Sequence, residues 1–223
     1  MSEKIINEGR EGYKKTKIGW LPIDWRIMSI NETTDRRKSP VEVKKNETYR
    51  EIGIRSHGKG LFYKDSVSGE SIGKKSVFWV VPNCLVLNIV FAWEQAVSKT
   101  TINEQGMIAS HRFPMYKPKE GILNLDFLFY YLMSPRGKHS LGLASPGGAG
   151  RNKTLGQREF GKMKIPVPPI KAQEKIVSII STWNTAINKI NSLIEAKKKL
   201  KKGIMDRLIS AENRFPGFNE NWK

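Results

Sequence analysis

The amino-acid sequence predicts an α+β fold, in which a mixed domain of short strands and helices is followed by a long C-terminal coiled-coil helix. Two observations support this prediction. Between residues 18 and 169, short runs rich in β-branched and aromatic residues alternate with Gly, Pro and Asn, as in small strands joined by turns. Between residues 170 and 210 there is no proline and Gly203 is the only glycine, which favours one uninterrupted helix.

The composition favours a polyanionic partner. The 223 residues carry 39 Lys and Arg against 21 Asp and Glu, a formal net charge of +18. Such an excess favours nucleic acid, because each phosphate that a cationic side chain neutralises releases condensed counterions. The alternative is a basic surface that is simply solvated. The length is sufficient for one sizeable core and an accessory element.

Cysteine content and apolar patterning indicate the compartment. Cys84 is the only cysteine, so an internal disulfide and a multi-cysteine zinc site are excluded. The N-terminal residues have no apolar signal core, and the longest apolar stretch, residues 76–91, is interrupted by Pro82 and Asn83. We therefore expect a soluble, cytoplasmic protein without a membrane partner.

The domain over residues 18–169 follows a charged segment, residues 1–17, which we expect to be a flexible N-terminal arm. Four runs in the domain have the composition of strands: Tyr49–Ile54, Val77–Val81, Cys84–Val90 and His111–Tyr116. The Pro-rich residues 166–169 lack three backbone donors, so they end the last strand and precede the long helix.

Two segments have helical patterns. In residues 124–135, Asn124 is a suitable N-cap, Asp126 suits the first turn and Pro135 is expected to end the helix. The second helix, over residues 170–210, would be about 60 Å long at about 1.5 Å per residue. That length exceeds a domain of this size, so we expect the helix to extend beyond it.

An apolar seam runs along the long helix. Its alternating steps of four and three residues are typical of a coiled-coil heptad: Ile176, Ile180, Trp183, Ile187, Ile190 and Ile194. The seam then shifts to Leu193, Leu200, Ile204 and Leu208. We expect this seam to pair with a partner helix; the alternative is a helix folded back on its own domain.

The C-terminal residues repeat a pattern found near the N-terminus. Both segments contain an aromatic residue, a nearby proline and then a tryptophan; the pairs are Trp20 with Phe215, Pro22 with Pro216, and Trp25 with Trp222. We interpret residues 211–223 as the start of a truncated second repeat. The chain would then be half of a duplicated architecture.

These segments together resemble the specificity subunits of type I restriction–modification systems. The similarity is carried by IGWLPIDWR at residues 18–26, LVLNIVFAWEQAVSKTTINEQGMIASHRFPMY at 85–116 and IPVPPIKAQEKI at 165–176. A complete member of that family has two target-recognition domains, each followed by a long helix. The helices pack antiparallel, and each domain reads one half of a bipartite DNA site. This chain resembles a half-length form with one such domain.

The resemblance implies a subunit that binds double-stranded DNA and has no catalytic activity of its own. Adenine methylation and ATP-driven cleavage would belong to partner methyltransferase and restriction subunits, which would use S-adenosylmethionine, ATP and magnesium. The chain would work as a homodimer or pair with another half-length subunit. The alternative is a truncated interaction protein that occupies methyltransferase subunits through its helix.

Three segments carry the cations, donors and acceptors that DNA recognition requires. The candidate residues are Arg55, Ser56, His57 and Lys59 in a Gly-bounded turn, Gln95 and Arg112 in a block of aromatic and polar residues, and Ser145, Arg151, Asn152 and Lys153 in a Gly-rich loop. Gln95 suits adenine, and Arg112 suits guanine or phosphate. The resemblance implies that Trp93 and Arg112 belong to the domain scaffold, and for these two a structural role is favoured. The alternatives for the turn and the loop are a plain surface hairpin and a mobile connection.

Two classes of DNA enzyme are not supported by the motifs. A DNA methyltransferase needs a glycine-rich cofactor loop and an Asn- or Asp-Pro-Pro-aromatic tetrapeptide, and neither occurs. A magnesium-dependent nuclease needs an Asp followed by Glu-x-Lys, which Asp35, Glu42 and Lys44 fit only loosely. The three histidines are too scattered for a metal site. We therefore expect neither catalytic residues nor a metal site in this chain.

Overall fold

The computed structural model describes residues 11–147 and 153–217. The chain divides into two compact units, Met1–Val177 and Ser178–Lys223.

The described strands are β1 Tyr13–Thr16, β2 Gly19–Pro22, β3 Arg26–Ser29, β4 Thr34–Arg37, β5 Thr48–Tyr49, β6 Ile52–Ile54, β7 Leu61–Tyr63, β8 Val67–Ser68, β9 Val77–Trp79, β10 Leu85–Leu87, β11 Val97–Lys99, β12 Ile108–Ser110, β13 Met115–Pro118 and β14 Lys164–Val167. The helices are α1 Ile30–Thr33, α2 Gly69–Ile72, α3 Leu125–Met133, α4 Pro135–Leu143, α5 Gln157–Lys162 and α6 Ile170–Ile209. Short 3-10 turns lie at Ala92–Glu94 and Ile102–Glu104.

The first unit is built on a four-stranded antiparallel sheet in the order β11-β10-β13-β4. Five further antiparallel pairs surround it: β1 with β2, β12 with β9, β14 with β3, β5 with β8, and β6 with β7. The pairing of β14 with β3 sets Ile165 opposite Met28 and so closes the unit with strands from its two ends. This mixed arrangement, followed by α6, confirms the predicted fold class.

Strand β10 is buried on both faces, which explains its unbroken apolar sequence. Because side chains alternate along a strand, Leu85 and Leu87 enter the main apolar cluster while Val86 enters a second one. Helices α3, α4 and α5 cover the main cluster with these residues: Phe127, Leu128, Leu132, Leu141 and Phe160. The second cluster is formed by residues of β6, β10, β12 and β13 and of the segments beside them.

The predicted strands exist, but they are shorter than expected. The run Tyr49–Ile54 is two strands, β5 and β6, with different partners. The run His111–Tyr116 contains a turn, because Phe113 N–H bonds back to the carbonyl of Ser110 and β13 begins only at Met115. The turn at Asn83, which has a left-handed backbone (φ 57°), separates β9 from β10. A second turn ends β10 at Leu87, because the N–H of Phe91 donates to the carbonyl of Asn88.

The N-terminal arm needs a correction at its C-terminal end. Residues 13–16 form β1 and pair with β2, Tyr13 lying opposite Pro22. Residues 1–10 lie outside the described part of the chain, so there the arm stays a prediction. The second repeat proposed over residues 211–223 also stays a prediction, since residues 218–223 are likewise outside it.

Helix α3 confirms the predicted N-cap and the predicted end, because it stops at Met133 and Ser134, the residue before Pro135, is extended. The Asn124 side chain accepts hydrogen bonds from the backbone N–H groups of Asp126 and Phe127. A new helix, α4, begins directly after this break. Pro135 stands in its first turn, where the missing N–H costs nothing, and Ser134 is its N-cap.

Helix α6 spans 40 residues and confirms the predicted long helix to within one residue at its end. Ile176 corrects the predicted pairing seam, because it packs against the main cluster of the first unit instead of lying exposed. In the second unit the seam is open to solvent: Trp183 is 67% exposed and Ile187 is 51% exposed. None of the described helices combines the length and apolarity needed to cross a membrane.

Candidate nucleic-acid interface

Two of the predicted DNA-binding segments lie against each other, although the residues that join them are 37 positions apart in the sequence. The N–H of His57 donates to the carbonyl of Glu94 at 2.8 Å, and the N–H of Gly58 donates to the carbonyl of Gln95 at 2.9 Å. The Ser56 hydroxyl adds a bond to the Glu94 carboxylate at 3.1 Å. We call residues 91–95 the Trp93 turn and residues 55–60 the His57 turn.

The His57 turn reverses the chain through consecutive left-handed residues, His57 (φ 61°) and Gly58 (φ 63°). A side chain at Gly58 would collide with the Met133 sulfur, so glycine serves packing on α3 as well as the turn. The His57 and Lys59 side chains are exposed. Arg55 is exposed too, with its guanidinium bonded to the carbonyl of Leu61 at 2.7 Å and stacked on Phe62 at 5.0 Å from the ring centre.

The end of the Gly-rich loop reaches the same place. The ammonium of Lys153 lies 5.5 Å from the centre of the Trp93 ring, within the range of a cation–π contact. The indole N–H of Trp93 donates to the carbonyl of Val90 at 3.1 Å, which holds the ring in the turn. Arg151 and Asn152, the other candidates of this loop, lie outside the described residues. The other two candidate segments, the His57 turn and the end of the Gly-rich loop, therefore both contact the Trp93 turn.

Gln95 and Ser145 are corrections to the predicted DNA-binding set. Gln95 is 9% exposed, and its amide donates to the carbonyl of Leu132 at 2.9 Å. Ser145 is 2% exposed, and its hydroxyl donates to the carbonyl of Leu141 at 2.7 Å. Each side chain satisfies a buried carbonyl, so neither can turn to a base without leaving that carbonyl unpaired.

Arg112 lies in a different part of the first unit, on the turn between β12 and β13. Its side chain is exposed, and its carbonyl accepts the N–H of Ile89 at 3.0 Å. It lines one of two adjoining cavities, each of about 520 Å³. The neighbouring cavity is lined by cationic residues that were not predicted, of which Lys75 lines both cavities: Arg36, Arg37, Lys38, Lys74 and Lys75. The sequence contained one indication of these residues, the basic runs RRK at residues 36–38 and GKK at residues 73–75, each beside a strand.

The loosely matching nuclease triad does not assemble. Asp35 lies on β4 within 3.6 Å of Arg37, whereas the Lys44 ammonium is 2.9 Å from the Glu47 carboxylate, which raises the pKa of Lys44. Within residues 11–147 and 153–217, no group of three His, Cys, Asp or Glu side chains is arranged to hold a metal. Burial raises the pKa of the Cys84 thiol to about 11, which makes it a poor nucleophile.

The sequence matches the family model described as the type I restriction modification DNA specificity domain over residues 22–198. It is 28% identical over 206 residues to the type I restriction enzyme MjaVIII specificity subunit of Methanocaldococcus jannaschii, covering 90% of this chain and 45% of that protein. The MjaX specificity subunit of the same organism is 24% identical over 215 residues, covering 90% of this chain and 49% of that protein. The chain thus spans about half the length of these relatives.

Two solved structures share the fold. The HsdS subunit from Thermoanaerobacter tengcongensis aligns with a TM-score of 0.63 at 17% identity, covering 90% of this chain and 52% of that one. The type I restriction–modification S subunit from M. genitalium aligns with a TM-score of 0.52 at 16% identity, covering 85% and 46%. Since the family model matches most of the sequence, this chain belongs to the type I restriction–modification DNA specificity domain family.

Proposed function

We propose that this chain recognises a sequence in double-stranded DNA and directs the methyltransferase and restriction subunits of a type I restriction–modification system to it. The observation that carries the proposal is the family match over residues 22–198. The net charge of +18 supports a DNA partner. The named relatives are themselves specificity subunits of type I restriction enzymes.

The surface that would read bases is the one formed by the His57 turn and the Trp93 turn. Arg55, His57 and Lys59 are exposed there, and Lys153 lies on the Trp93 ring. Arginine and lysine suit the acceptors of guanine in the major groove, and histidine can donate or accept. The backbone hydrogen bonds between the two turns would hold these side chains at a set spacing, which base recognition requires.

We expect no bond-making step in this chain. Methylation and cleavage, with their S-adenosylmethionine, ATP and magnesium, would belong to the partner subunits. The protein would act in the cytoplasm, where chromosomal DNA and those subunits are present.

The exposed stripe of α6 is the proposed pairing surface. It comprises the half-buried Ile180 and four exposed seam residues of the second unit: Trp183, Ile187, Ile190 and Ile194. A second copy, or another half-length subunit, would cover this stripe by an antiparallel helix. A pair of identical copies would have two-fold symmetry and would read a palindromic site with an unread gap.

Selection from a pool of random duplexes, with the partner methyltransferase subunits supplied, tests the proposal. Wild-type complex should enrich one bipartite sequence. The variant Arg55→Ala with Lys59→Ala should lose at least about thirtyfold in affinity for that sequence, because it removes two base contacts of about 1–3 kcal/mol each. The control Lys162→Ala changes an exposed lysine that already lies 3.5 Å from Glu159 and should leave the selection unchanged.

Two results would contradict the proposal. If the methyltransferase subunits bind the chain but no sequence is enriched, the chain acts as an interaction protein that occupies those subunits. If both variants enrich the same sequence with wild-type affinity, base reading belongs elsewhere than on the His57 turn.

A further inference from the structure

Two cavities adjoin beside β12 and β13, and we call the two together the basic cleft. They share Lys75, Ser76 and His111 as lining residues. The cleft lies between the end of β4, the segment that joins α2 to β9, and the turn between β12 and β13. These three chain segments are far apart in the sequence, so the cleft is a product of the tertiary fold.

Cations dominate the lining of the basic cleft. Six cationic side chains line it: Arg36, Arg37, Lys38, Lys74, Lys75 and Arg112. The single lining carboxylate, Glu51, is already paired with Lys64 at 2.6 Å. In the part of the chain that the structure describes, the one ion pair among the six cations is Arg37 with Asp35, at 3.6 Å and exposed. The cleft therefore presents a concentrated positive field to solvent.

The floor of the cleft is apolar. Phe78, Phe113, Pro114 and Met115 line the first cavity below the cationic rim. An inorganic anion would gain nothing from such a floor, whereas a sugar–phosphate chain offers charged oxygens to the rim and an apolar sugar face to the floor. The chemistry of the lining thus favours a phosphodiester backbone.

Backbone hydrogen bonds hold the walls together. The N–H of His111 donates to the carbonyl of Ser76 at 3.2 Å, and the N–H of Trp79 donates to the carbonyl of Ser39 at 2.8 Å. Strand pairing sets Met115 opposite Arg37. The cations are therefore carried on segments that are tied to one another, which lowers the ordering cost of binding an extended anion.

We infer that the basic cleft binds the phosphodiester backbone of duplex DNA without regard to sequence and anchors the chain while the His57 turn reads bases. This inference rests on the proposed function, since it assumes that DNA is the partner. It adds a second DNA contact whose role is affinity and whose signature is salt dependence.

The test measures binding to random-sequence duplexes of about 30 base pairs between about 50 and 200 mM salt, with full-length chain. The variant Lys74→Gln with Lys75→Gln should lower the slope of log affinity against log salt by about 2, because each phosphate contact contributes about 0.9. The matched control, Lys162→Gln with Lys164→Gln, removes the same formal charge from lysines already paired with Glu159 and Glu32. Its slope should equal that of wild type.

A second variant tests the same cleft in case the first variant does not fold correctly. Lys38→Gln with Arg112→Gln, on two other walls of the cleft, should lower the slope by a similar amount. Equal slopes for wild type, both cleft variants and the control would overturn the inference. A cleft variant that loses affinity for one duplex sequence alone would also overturn it, because the cleft would then read bases. The inference would also be overturned if the cleft bound inorganic phosphate while the cleft variants kept the wild-type salt slope for DNA.

This outcome is separable from that of the proposed function. Random duplexes contain no selected target, so the slope does not depend on sequence reading. If wild type enriches no sequence, the proposed function fails whatever the slopes are. If enrichment succeeds and the slopes are equal, only the basic cleft is excluded.

Discussion

The backbone N–H of Asn124 donates a hydrogen bond to the side-chain oxygen of Gln173 at 2.8 Å. The amide nitrogen of Gln173 completes the arrangement by donating to the carbonyls of Ile122 and Pro168, each at 2.8 Å. Gln173 is fully buried, and Asn124 is the N-cap of α3. One side chain thus joins the first turn of α6 to the start of α3 and to the Pro-rich entry of the long helix.

Gln173→Leu should destabilise the first unit by about 3 kcal/mol, because a near-isosteric apolar side chain leaves three polar groups unpaired. Equilibrium urea unfolding measures this free energy. Gln105→Leu, at an exposed position, is the control and should change it by about 0.5 kcal/mol or less. Equal effects of the two substitutions would show that the Gln173 bonds contribute little.

Two glycines of α4 should respond in opposite directions to the same change. A methyl group at Gly137 would overlap the Tyr131 carbonyl oxygen and lie 2.5 Å from the Leu132 Cα, whereas Gly142 has no neighbour within 4 Å. Gly137→Ala should cost about 2 kcal/mol, because backbone cannot move aside. Gly142→Ala should stabilise by up to about 1 kcal/mol through helix propensity. Thermal unfolding of wild type and both variants measures these two changes in stability. A Gly137→Ala variant as stable as wild type would contradict the close packing at Gly137.

The capping carboxylate of Glu32 should make stability depend on pH at the acid end. Hydrogen bonds from the Ser29 hydroxyl and backbone N–H, and then from Lys164 at 3.0 Å, lower the pKa of Glu32 from its usual 4.5 to about 2. A depressed pKa in the folded state means a stabilising contribution that is complete above about pH 4.5 and is lost as pH falls toward 2.

The measurement is the melting temperature of wild type and Glu32→Gln between pH 2 and pH 6. This range includes both the usual pKa of the Glu32 carboxyl, 4.5, and its lowered pKa of about 2. The advantage of wild type should be constant above pH 4.5 and should shrink below it. The control is Glu120→Gln, at an exposed loop position. The melting-temperature difference between wild type and this control should be the same at every pH in the series. A wild-type advantage that grows on acidification would have the wrong sign for a depressed pKa.

The exposed stripe of α6 should control self-association. Ile187→Asp places a charge in the middle of the stripe, next to Trp183 and Ile190 on the same helix face, and a buried unpaired charge is not tolerated in an apolar seam. Sedimentation of the full chain should show a pair for wild type and a single chain for the variant. Asn188→Asp, which adds the same charge one position away, is the control. An unchanged mass for Ile187→Asp would remove the pairing proposal.

Several features could be predicted because they depend on neighbouring residues. The Asn124 cap acts on N–H groups two and three residues ahead. The uninterrupted α6 follows from the absence of proline between residues 170 and 210. Strand ends were less predictable, since turns such as Ser110–Phe113 shorten a run that has strand composition throughout.

The candidate site was predicted in part. The sequence indicated the exposed cations Arg55 and Lys59, yet it also indicated Gln95 and Ser145, whose polar groups bond to buried carbonyls. A polar residue in a Gly-rich or turn sequence has the same local signature whether its partner is a base or a backbone carbonyl. Its partner depends on which distant segment packs beside it, here the end of α3 for Gln95.

By itself, the sequence determined the basic character, the succession of short strands and the length of α6, because charge, backbone preference and helix periodicity act over a few residues. Only the tertiary structure decided that the His57 and Trp93 turns meet, that Ile176 joins the core, and that Lys74 and Lys75 face the cleft with the arginines of β4. These depend on contacts between segments tens of residues apart, which are selected by the packing of the whole core and by no local pattern.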